Sequence, residues 1–589
     1  MSRKFGILLI FIAILPLLLV FFYPTPEITS PTFSISYENK QHLLSYAYSV
    51  MDSHFQNDTF DMSLKQKTSY EDLHYDVLFI TLLHDGMVRG CQSGSHLKDS
   101  SNRLLLDIKE ATIESIQDSR FGGELTKDEW SNTTIMFTFL YNTTLLGNTS
   151  SVFLQSNIEL GVHALGIIHN NTPTIFKESV PIVNNYDLDH TLNRLCLKAD
   201  LNNECIHSDD VDLLRYDTLT FYGEREKEVK TLYRYTNLID SDDISSTSIN
   251  QSILLGYNWF LQSINDDTGS LEYLYYPSND QYSTDNNHVR QLASLWALTE
   301  TQRYLNSSLA NDLISTMLDY YLDFQYETET YAYLRIDNES KLGYNAFIIL
   351  SLLNTPDYPK QEQLLDEFAR GILFLQNENG SLNTYFFSEK NTGQDFYPGE
   401  ALLSLMKLYG VTGNESYLRT VEHAFPYYSQ YWRSNKNTAF IPWHTQTYAL
   451  LFEQTKNRNL SDFIFEMNDW MIDNYQMKTS LYPDEIGGFP KYFPTFSTSV
   501  FIEGVNDAYT VAKCINDTEH VQKYKDSIKL GTRFILQTQF TENNSFYLDQ
   551  SYRAIGGFKT SLTDNSIRID NTQHALLALI KTMENNIFL

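Results

Sequence analysis

The sequence predicts a multi-domain protein with an N-terminal membrane anchor, an α+β domain and an all-α ring of six helical hairpins, an (α/α)6 toroid. Three observations support this: an apolar run opens the chain, helical and strand-like periods mix up to about residue 235, and only helical periods follow residue 250. We place the boundaries as an anchor at 1–23, a spacer at 24–35, the α+β domain at 36–235, a linker at 236–250 and the toroid at 251–589.

The first 23 residues have the pattern of a membrane anchor. Arg3 and Lys4 precede an apolar run from Phe5 to Tyr23, which as a helix spans about 28 Å, close to the hydrocarbon thickness of a bilayer. Basic residues before the run place the bulk of the chain outside the cytoplasm. A cleaved signal peptide is the alternative, but Phe21–Pro24 offers no small residues for cleavage. We therefore predict a single-pass protein of the cell membrane.

The composition is that of a folded, acidic protein. Hydrophobic residues make up 42% of the 589 residues, enough for more than one core. The net charge is −30, and the 43 lysines and arginines form no dense basic stripe, so nucleic acid is excluded as a partner. Aromatic residues are frequent at 14%, which is explained either by core packing or by stacking on sugars.

Two further patterns fit an exported glycoprotein. Cys196 and Cys205 are nine residues apart in a loop-like stretch, and we predict that they form a disulfide and leave Cys91 free. Glycosylation sequons of the form Asn-x-Ser/Thr are spread along the chain. They lie at Asn57, Asn132, Asn142, Asn148, Asn170, Asn250, Asn306, Asn338, Asn379, Asn414, Asn459, Asn516 and Asn543.

Four motifs in the α+β region carry a family resemblance. They are Val88–Gly94, Asp118–Glu129, Glu159–His163 and Leu195–Ala199. In order and spacing they are similar to the AMMECR domain family, whose signature is Leu-Arg-Gly-Cys-Ile-Gly; here Gln92-Ser93 replaces Ile-Gly. The resemblance covers about 180 residues. It implies a fold more than an activity.

The signature contains a candidate nucleophile. The guanidinium of Arg89 beside Cys91 would favour the thiolate, and His163 would serve as its base. We therefore list Cys91 as a candidate catalytic residue, with Arg89 and His163 as candidate substrate-binding residues. A structural cysteine in a tight glycine turn is the alternative, and Arg89 and Arg120 would then hold an anion or a carboxylate of the fold.

The helical region predicts a closed ring. Twelve helices are expected, near 251–264, 286–303, 307–324, 342–353, 360–376, 398–409, 415–432, 443–455, 459–475, 498–514, 518–538 and 571–585. A Leu-Gln element followed by a Gly-Ser or Asn-Ser turn recurs at Gln262, Gln376 and Gln537. A hairpin that cannot bury its face alone must stack or close. A lone helix at each end favours closure over an open solenoid.

This region resembles the six-hairpin enzymes. Tyr397–Leu402 is similar to inner-helix segments of six-hairpin glycosidases, an architecture shared with polysaccharide lyases and terpenoid cyclases. The acid motif of the cyclases occurs once, at Asp240–Asp243, where we interpret it as an acidic helix cap in the linker. Cys514 is the one cysteine of the toroid and is expected in the core. No metal or other cofactor is predicted.

The site is expected at one mouth of the ring, where inner helices begin and helix ends favour charge. The candidate catalytic residues there are Asp395, Glu400, Glu503, Asp570 and His574. The candidate substrate-binding residues are Arg290, Trp443, His444 and Arg568. Each has a structural alternative, in which the charges pair and brace the ring and Trp443 packs in the core.

These residues suit two chemistries. Glycoside hydrolysis uses two carboxyl groups, whereas a lyase or epimerase uses a histidine or tyrosine to move a proton and an arginine to hold a carboxylate. We predict an extracytoplasmic carbohydrate-active enzyme acting on a glycan, as a hydrolase first and as a lyase or epimerase second. The alternative is a non-catalytic toroid that binds glycan or protein. Convergent carboxyl groups in the mouth would favour the enzyme.

Overall fold

A computed structural model describes residues 33–56, 73–94, 103–147, 149–265 and 268–589. The predicted anchor at 1–23 and most of the spacer lie outside these residues. Within the described ranges, no helix is both long and apolar enough to cross a membrane. The structure has the predicted multi-domain arrangement, an α+β part followed by a helical ring.

The first domain is built on one antiparallel sheet. Its strand order is β2-β1-β3-β6-β4-β5, with β7 added along β6. The strands are β1 Val77–His84, β2 Met87–Ser93, β3 Thr133–Leu145, β4 Ala164–His169, β5 Thr172–Phe176, β6 Val211–Gly223 and β7 Lys230–Leu232. The helices are α1 Tyr37–Gln56, α2 Arg103–Ile116, α3 Lys127–Trp130, α4 Ser151–Asn157, α5 Ser179–Asn184 and α6 Leu188–Lys198.

The two faces of this sheet differ. Leu78, Ile80 and Leu82 alternate along β1 on the face that packs, fully buried, with α1 and α2. The opposite face carries buried Thr81 and also Leu83, which belongs to the same hydrophobic cluster as the toroid core. The second face is therefore turned toward the toroid and is partly polar.

The helical ring is closed. Its inner helices are α8 His288–Leu305, α10 Leu342–Leu353, α12 Tyr397–Thr412, α14 Ile441–Thr455, α16 Ser497–Cys514 and α19 Ile569–Glu584. Each packs on the next, and α19 packs on α8. The outer helices are α7 Ser246–Gln262, α9 Asn311–Leu322, α11 Gln361–Phe374, α13 Glu415–Ser434, α15 Arg458–Tyr475 and α17 Thr518–Thr538. Since α7 pairs with α19, the two terminal helices close the ring as predicted, and the open solenoid is excluded.

Short elements complete the loops of the ring. They are the helix α18 Ser551–Ala554 and the strands β8 Leu274–Tyr276, β9 Gln281–Tyr282, β10 Gln325–Glu327, β11 Ala332–Leu334 and β12 Ile567–Arg568. Asp240 caps a 3-10 turn before α7, as expected of the acidic linker. The expectation for Cys514 was wrong, because it ends α16 and is exposed.

Glutamines that follow the outer helices α11 and α17 tie these hairpins to the next ones. Gln376 donates to the carbonyl of Thr420 on α13 at 2.9 Å, and Gln539 donates to the carbonyl of Ser252 on α7 at 3.0 Å. The predicted third member, Gln537, instead bonds the linker at Asn237. Of the three predicted positions, Gln376 makes this bond and Gln262 is exposed, and in the last hairpin the bond is made two residues later than the sequence indicated.

The first domain sits on the loops beside the mouth of the ring. Buried Arg234 bonds buried Asp484 of the toroid at 2.6 Å and also contacts Glu159. At a second point, Asn565 donates its backbone N–H to Asn185 at 2.7 Å. These contacts fix the two domains to each other on the face where the inner helices begin.

Candidate active site

The inner helices begin around a single cavity of about 450 Å³. All six of them, or the turns just before them, contribute side chains to its wall, among them Arg290 of α8, Phe347 of α10, Glu400 of α12, Trp443 of α14, Phe501 of α16 and His574 of α19. The cavity is thus placed where the sequence predicted a mouth.

His574 is held by a buried carboxylate. Its Nδ1 lies 2.6 Å from Oε1 of Glu503, whose side chain is fully buried. With Nδ1–H donating to the carboxylate, Nε2 has a free lone pair. His574 itself lines the cavity, while Glu503 lies behind it. The pair therefore has the geometry of a general base and the group that orients it.

Glu400 lies across the ring from His574, since α12 and α19 are three inner helices apart. Its carboxyl is buried, and its Oε2 has no hydrogen-bond partner among the described residues. Burial alone raises the pKa of Glu400 from 4.5 to about 8, so the group is protonated at neutral pH. A neutral carboxylic acid thus faces a histidine base.

A glycine makes room for this acid. Gly343 lies within α10, where a glycine costs about 1 kcal/mol relative to alanine. A Cβ placed on Gly343 would lie 2.7 Å from Oε2 of Glu400 and 3.0 Å from the ring of Tyr397. The missing side chain allows the carboxyl to occupy the space between the two helices.

Asp570 is tied to two arginines. Arg568 donates to its Oδ2 at 2.8 Å, and Arg290 lies 2.8 Å from the same oxygen. Arg290 also donates to the hydroxyl of Tyr273 at 2.8 Å. Asp570 and Arg290 line the cavity, and Arg568 lies against the ring of Phe496 at its edge. Both oxygens of Asp570 are engaged, because Arg568 also bonds Oδ1.

Aromatic rings form much of the wall. Trp443 lies 5.9 Å from the ring of His574 and 5.7 Å from that of Phe347, centroid to centroid. Phe347 and Gln573 are wall residues that the sequence analysis missed. The rule that inner-helix starts line the mouth would have found both, had it been applied to α10 and to every position of the last helix.

Besides Glu503 and Arg568, two further predicted residues are not in the cavity wall. Asp395 accepts hydrogen bonds from the Tyr431 hydroxyl and the Asn437 amide, both at 3.0 Å, and so braces the loops beside α12 and α14. His444 is fully buried and stacks on Phe440 at 3.6 Å. Successive helical residues point about 100° apart, so a helix that aims Trp443 at the cavity turns His444 into the packing between helices.

The first domain does not pair Cys91 with His163. His163 Nδ1 accepts from the backbone N–H of Glu159 at 2.9 Å, and burial lowers its pKa to about 3. Cys91 instead accepts from the Thr81 hydroxyl at 3.3 Å. Arg89 is occupied by Glu129, with which it makes two hydrogen bonds at 2.7 and 3.1 Å. Arg89 thus holds a carboxylate of the fold, which was the structural alternative.

The cysteine pattern is as predicted. Cys196 and Cys205 form a disulfide with a Cα–Cα distance of 5.7 Å. Cys91 and Cys514 are free. Among the described residues, no group of three or more His, Cys, Asp or Glu side chains is placed to hold a metal ion.

Several solved structures are similar to parts of the chain. A family 76 glycoside hydrolase from a bovine Bacteroides thetaiotaomicron strain is 11% identical, covers 76% of this chain and 96% of its own, and has a TM-score of 0.42. Cellobiose 2-epimerase from Bacillus thermoamylovorans is 11% identical over 57% of this chain and 99% of its own, with a TM-score of 0.44. At these values neither similarity assigns an activity to this chain.

The first domain has its own matches. An uncharacterized protein from Pyrococcus horikoshii is 18% identical, covers 34% of this chain and 98% of its own, and has a TM-score of 0.28. No curated protein matches the sequence. Residues 44–221 match the model of the AMMECR1 family, so the family resemblance predicted from the four motifs of the first domain is confirmed.

Proposed function

We propose that the toroid is a carbohydrate-active enzyme that moves a proton at a carbon next to a carbonyl or carboxylate, as an epimerase, isomerase or lyase does. The observation that carries the proposal is the 2.6 Å contact of His574 with buried Glu503, across the cavity from Glu400. His574 would remove the proton, and Glu400, protonated because its pKa is raised to about 8, would donate one.

The carboxyl groups argue against ranking hydrolysis first. Cleavage of a glycoside needs one carboxylic acid and one free carboxylate as base or nucleophile. Glu400 supplies the acid, but both oxygens of Asp570 are held by Arg568, and Glu503 lies behind His574. A histidine occupies the place of the second carboxylate. The hydrolase therefore becomes the second candidate.

The walls of the cavity suit a sugar. Phe396, Tyr397 and Phe496 of the wall keep exposed ring surface, on which the C–H faces of sugars stack, and Asn287 offers an amide for hydroxyl groups. Convergent titratable groups in the same wall favour an enzyme over the non-catalytic binding toroid.

Deuterium incorporation tests the proposal. The full-length protein is incubated in D2O with a panel of reducing aldoses, ketoses, hexuronates and oligosaccharides, and exchange of carbon-bound hydrogen is followed by proton NMR. We expect exchange with the wild type and a strong loss for His574→Ala and Glu400→Gln. Release of reducing ends without deuterium at carbon would instead establish the hydrolase. Binding of sugars with neither reaction would establish the binding toroid.

We also propose that the protein works outside the cytoplasm, held by residues 1–23. The Cys196–Cys205 disulfide supports this, because disulfides persist in oxidising compartments. Amino-terminal sequencing of membrane-extracted protein provides the test. A mature chain that begins near residue 24 would leave a secreted protein, and a blocked or native start would support the anchor.

A further inference from the structure

A second polar cluster lies in the first domain, away from the toroid cavity. Four separate segments bring Cys91 of β2, Arg120 of the turn after α2, Lys177 after β5 and Lys198 at the end of α6 into electrostatic range of one another. We call these residues, together with Thr81 of β1, the basic thiol cluster.

Direct contacts hold the cluster together. Thr81 receives a hydrogen bond from the Lys177 ammonium at 2.7 Å and donates its hydroxyl to Cys91 Sγ at 3.3 Å. Arg120 donates to the backbone carbonyl of Cys91 at 2.7 Å. Because one threonine hydroxyl bridges an ammonium and a thiol, the positions of both groups are fixed.

The two lysines lack carboxylate partners. Lys177 bonds a hydroxyl, and Lys198 donates to the carbonyl of Ile175 at 2.8 Å and lies 5.1 Å from the ring of Phe176. Within the described ranges, no carboxylate lies at ion-pair distance from either ammonium. In a chain of net charge −30, two adjacent unpaired cations need an explanation.

The nearby acids do not cancel this charge. Asp118 accepts from Arg120 at 2.6 Å and from the backbone N–H of Cys91 at 3.0 Å, so it neutralises the arginine alone. Burial raises the pKa of Glu178, whose one bonded oxygen accepts from Thr220. The positive charge of Lys177 and Lys198 is left for a ligand.

The segments are also accessible. Cys91 and Lys177 are partly exposed, and Lys198 and Arg120 are exposed. Burial lowers the pKa of the Lys198 ammonium; the nearby Cys91 opposes this shift, and the charges of Arg120 and Lys177 add to it. A bound anion would relieve that repulsion between cations.

We propose that the basic thiol cluster is a binding site for the phosphate or carboxylate group of a small molecule, with the Cys91 thiol in its wall. Lysine ammonium groups bind such oxyanions as point charges, and Lys177 and Lys198 supply two of them. The site is distinct from the toroid cavity and does not depend on the activity proposed there.

The test compares how strongly an anion protects two cysteines of the same chain from alkylation. Full-length protein is treated with iodoacetamide, and alkylation of Cys91 and of the exposed Cys514 is followed separately by peptide mass spectrometry. Inorganic phosphate and acetate are compared with chloride at equal ionic strength. At twice its Kd an anion should slow alkylation of Cys91 about threefold and leave Cys514 unchanged. The anion that protects identifies the group that is bound.

Variants that remove the two lysine charges test whether these charges bind the anion. Lys177→Gln with Lys198→Gln should abolish the protection, whereas Lys529→Gln on the outer helix α17 should keep it. A phosphate-dependent rise of the melting temperature in the wild type, absent from the double variant, gives a second readout that needs no thiol. Equal slowing at both cysteines, or protection that survives in the double variant, would overturn the proposal.

Discussion

The toroid mouth and the basic thiol cluster differ in how their charged side chains are compensated. In the mouth, Asp570 is paired with arginines, Glu503 is paired with His574, and Glu400 is neutral because burial raises its pKa. In the first domain, Lys177 and Lys198 bond only neutral oxygens. The mouth has the groups that the proposed proton transfer needs, and the cluster has the charge that the proposed anion site needs.

The difference shows what burial does with and without a partner. A buried acid without a partner becomes neutral. A partly buried cation without a carboxylate partner stays charged and can bind an anion from solution. The two regions are joined by the buried pair of Arg234 and Asp484. The following predictions test whether the regions act separately and how firmly they are joined.

The largest effect is expected from His574→Ala. General acid–base groups contribute about 10²- to 10⁴-fold to rate, so deuterium exchange should fall by that factor. Alkylation of Cys91 should not change. His520→Ala is the matched control, because that histidine pairs with Asp517 and Asp469 on the outer helices. If exchange survives in His574→Ala, or if the variant unfolds, the mouth is structural.

The next largest effect is expected from the buried ion pair that joins the two domains. Asp484→Asn should lower the unfolding free energy by about 3 to 5 kcal/mol, since removing one partner leaves the buried Arg234 charge poorly compensated. Asp473→Asn, which breaks exposed pairs with Lys478 and Lys523, should cost less than about 1 kcal/mol. Denaturant unfolding measures both. Equal costs would mean that the buried pair does not join the domains.

A moderate effect is expected from the disulfide. Replacing Cys196 and Cys205 by alanine should lower the stability of the first domain by about 2 to 3 kcal/mol, through the chain entropy of the short loop. Since Lys198 follows Cys196 by two residues in α6, anion protection of Cys91 should weaken as well. Deuterium exchange should be unchanged. A parallel loss of exchange would show that the two regions are coupled.

The smallest effect, for a change of one pH unit, is the pH dependence caused by Glu400. Its pKa is raised from 4.5 to about 8, so between these values the folded state binds more protons than the unfolded state. The unfolding free energy should therefore fall by up to ~1.4 kcal/mol for each pH unit as pH rises through this range. Glu400→Gln should remove this pH dependence. Its unfolding free energy should therefore rise relative to that of the wild type as pH rises.

Surface-exposed Glu466, paired with Arg433, provides the control for that titration. Glu466→Gln should follow the wild-type pH dependence, measured by denaturant unfolding at several pH values. The exchange activity should also fall as pH rises through about 8, because the acid is lost. An unchanged slope in Glu400→Gln would mean that the carboxyl is ionised in the folded protein.

Local signals determined much of this fold. The 3.6-residue periods located the helices of the ring to within a few residues, because a repeated buried stripe is written directly in the sequence. The start of α7 was the least accurately predicted boundary, since its capping box of Ser245 and Ser248 lacks the usual acidic partner. The disulfide was also foreseen, because nine residues leave both cysteines within reach.

The sequence also placed Glu400, Asp570 and His574 near one mouth, because residues at inner-helix starts must lie there once the ring closes. Only the tertiary structure decided the protonation of Glu400 and the orientation of His574. Glu400 is neutral because it is buried, in space that Gly343 of another helix leaves open, and His574 is oriented by Glu503, 71 residues earlier. Cys91 is separated from His163 by the strand order, since three strands lie between β2 and β4, and it is linked to Lys177 through Thr81 of β1. Periodicity reports which face is buried, but the partner that a buried charge meets there is set by packing between distant segments.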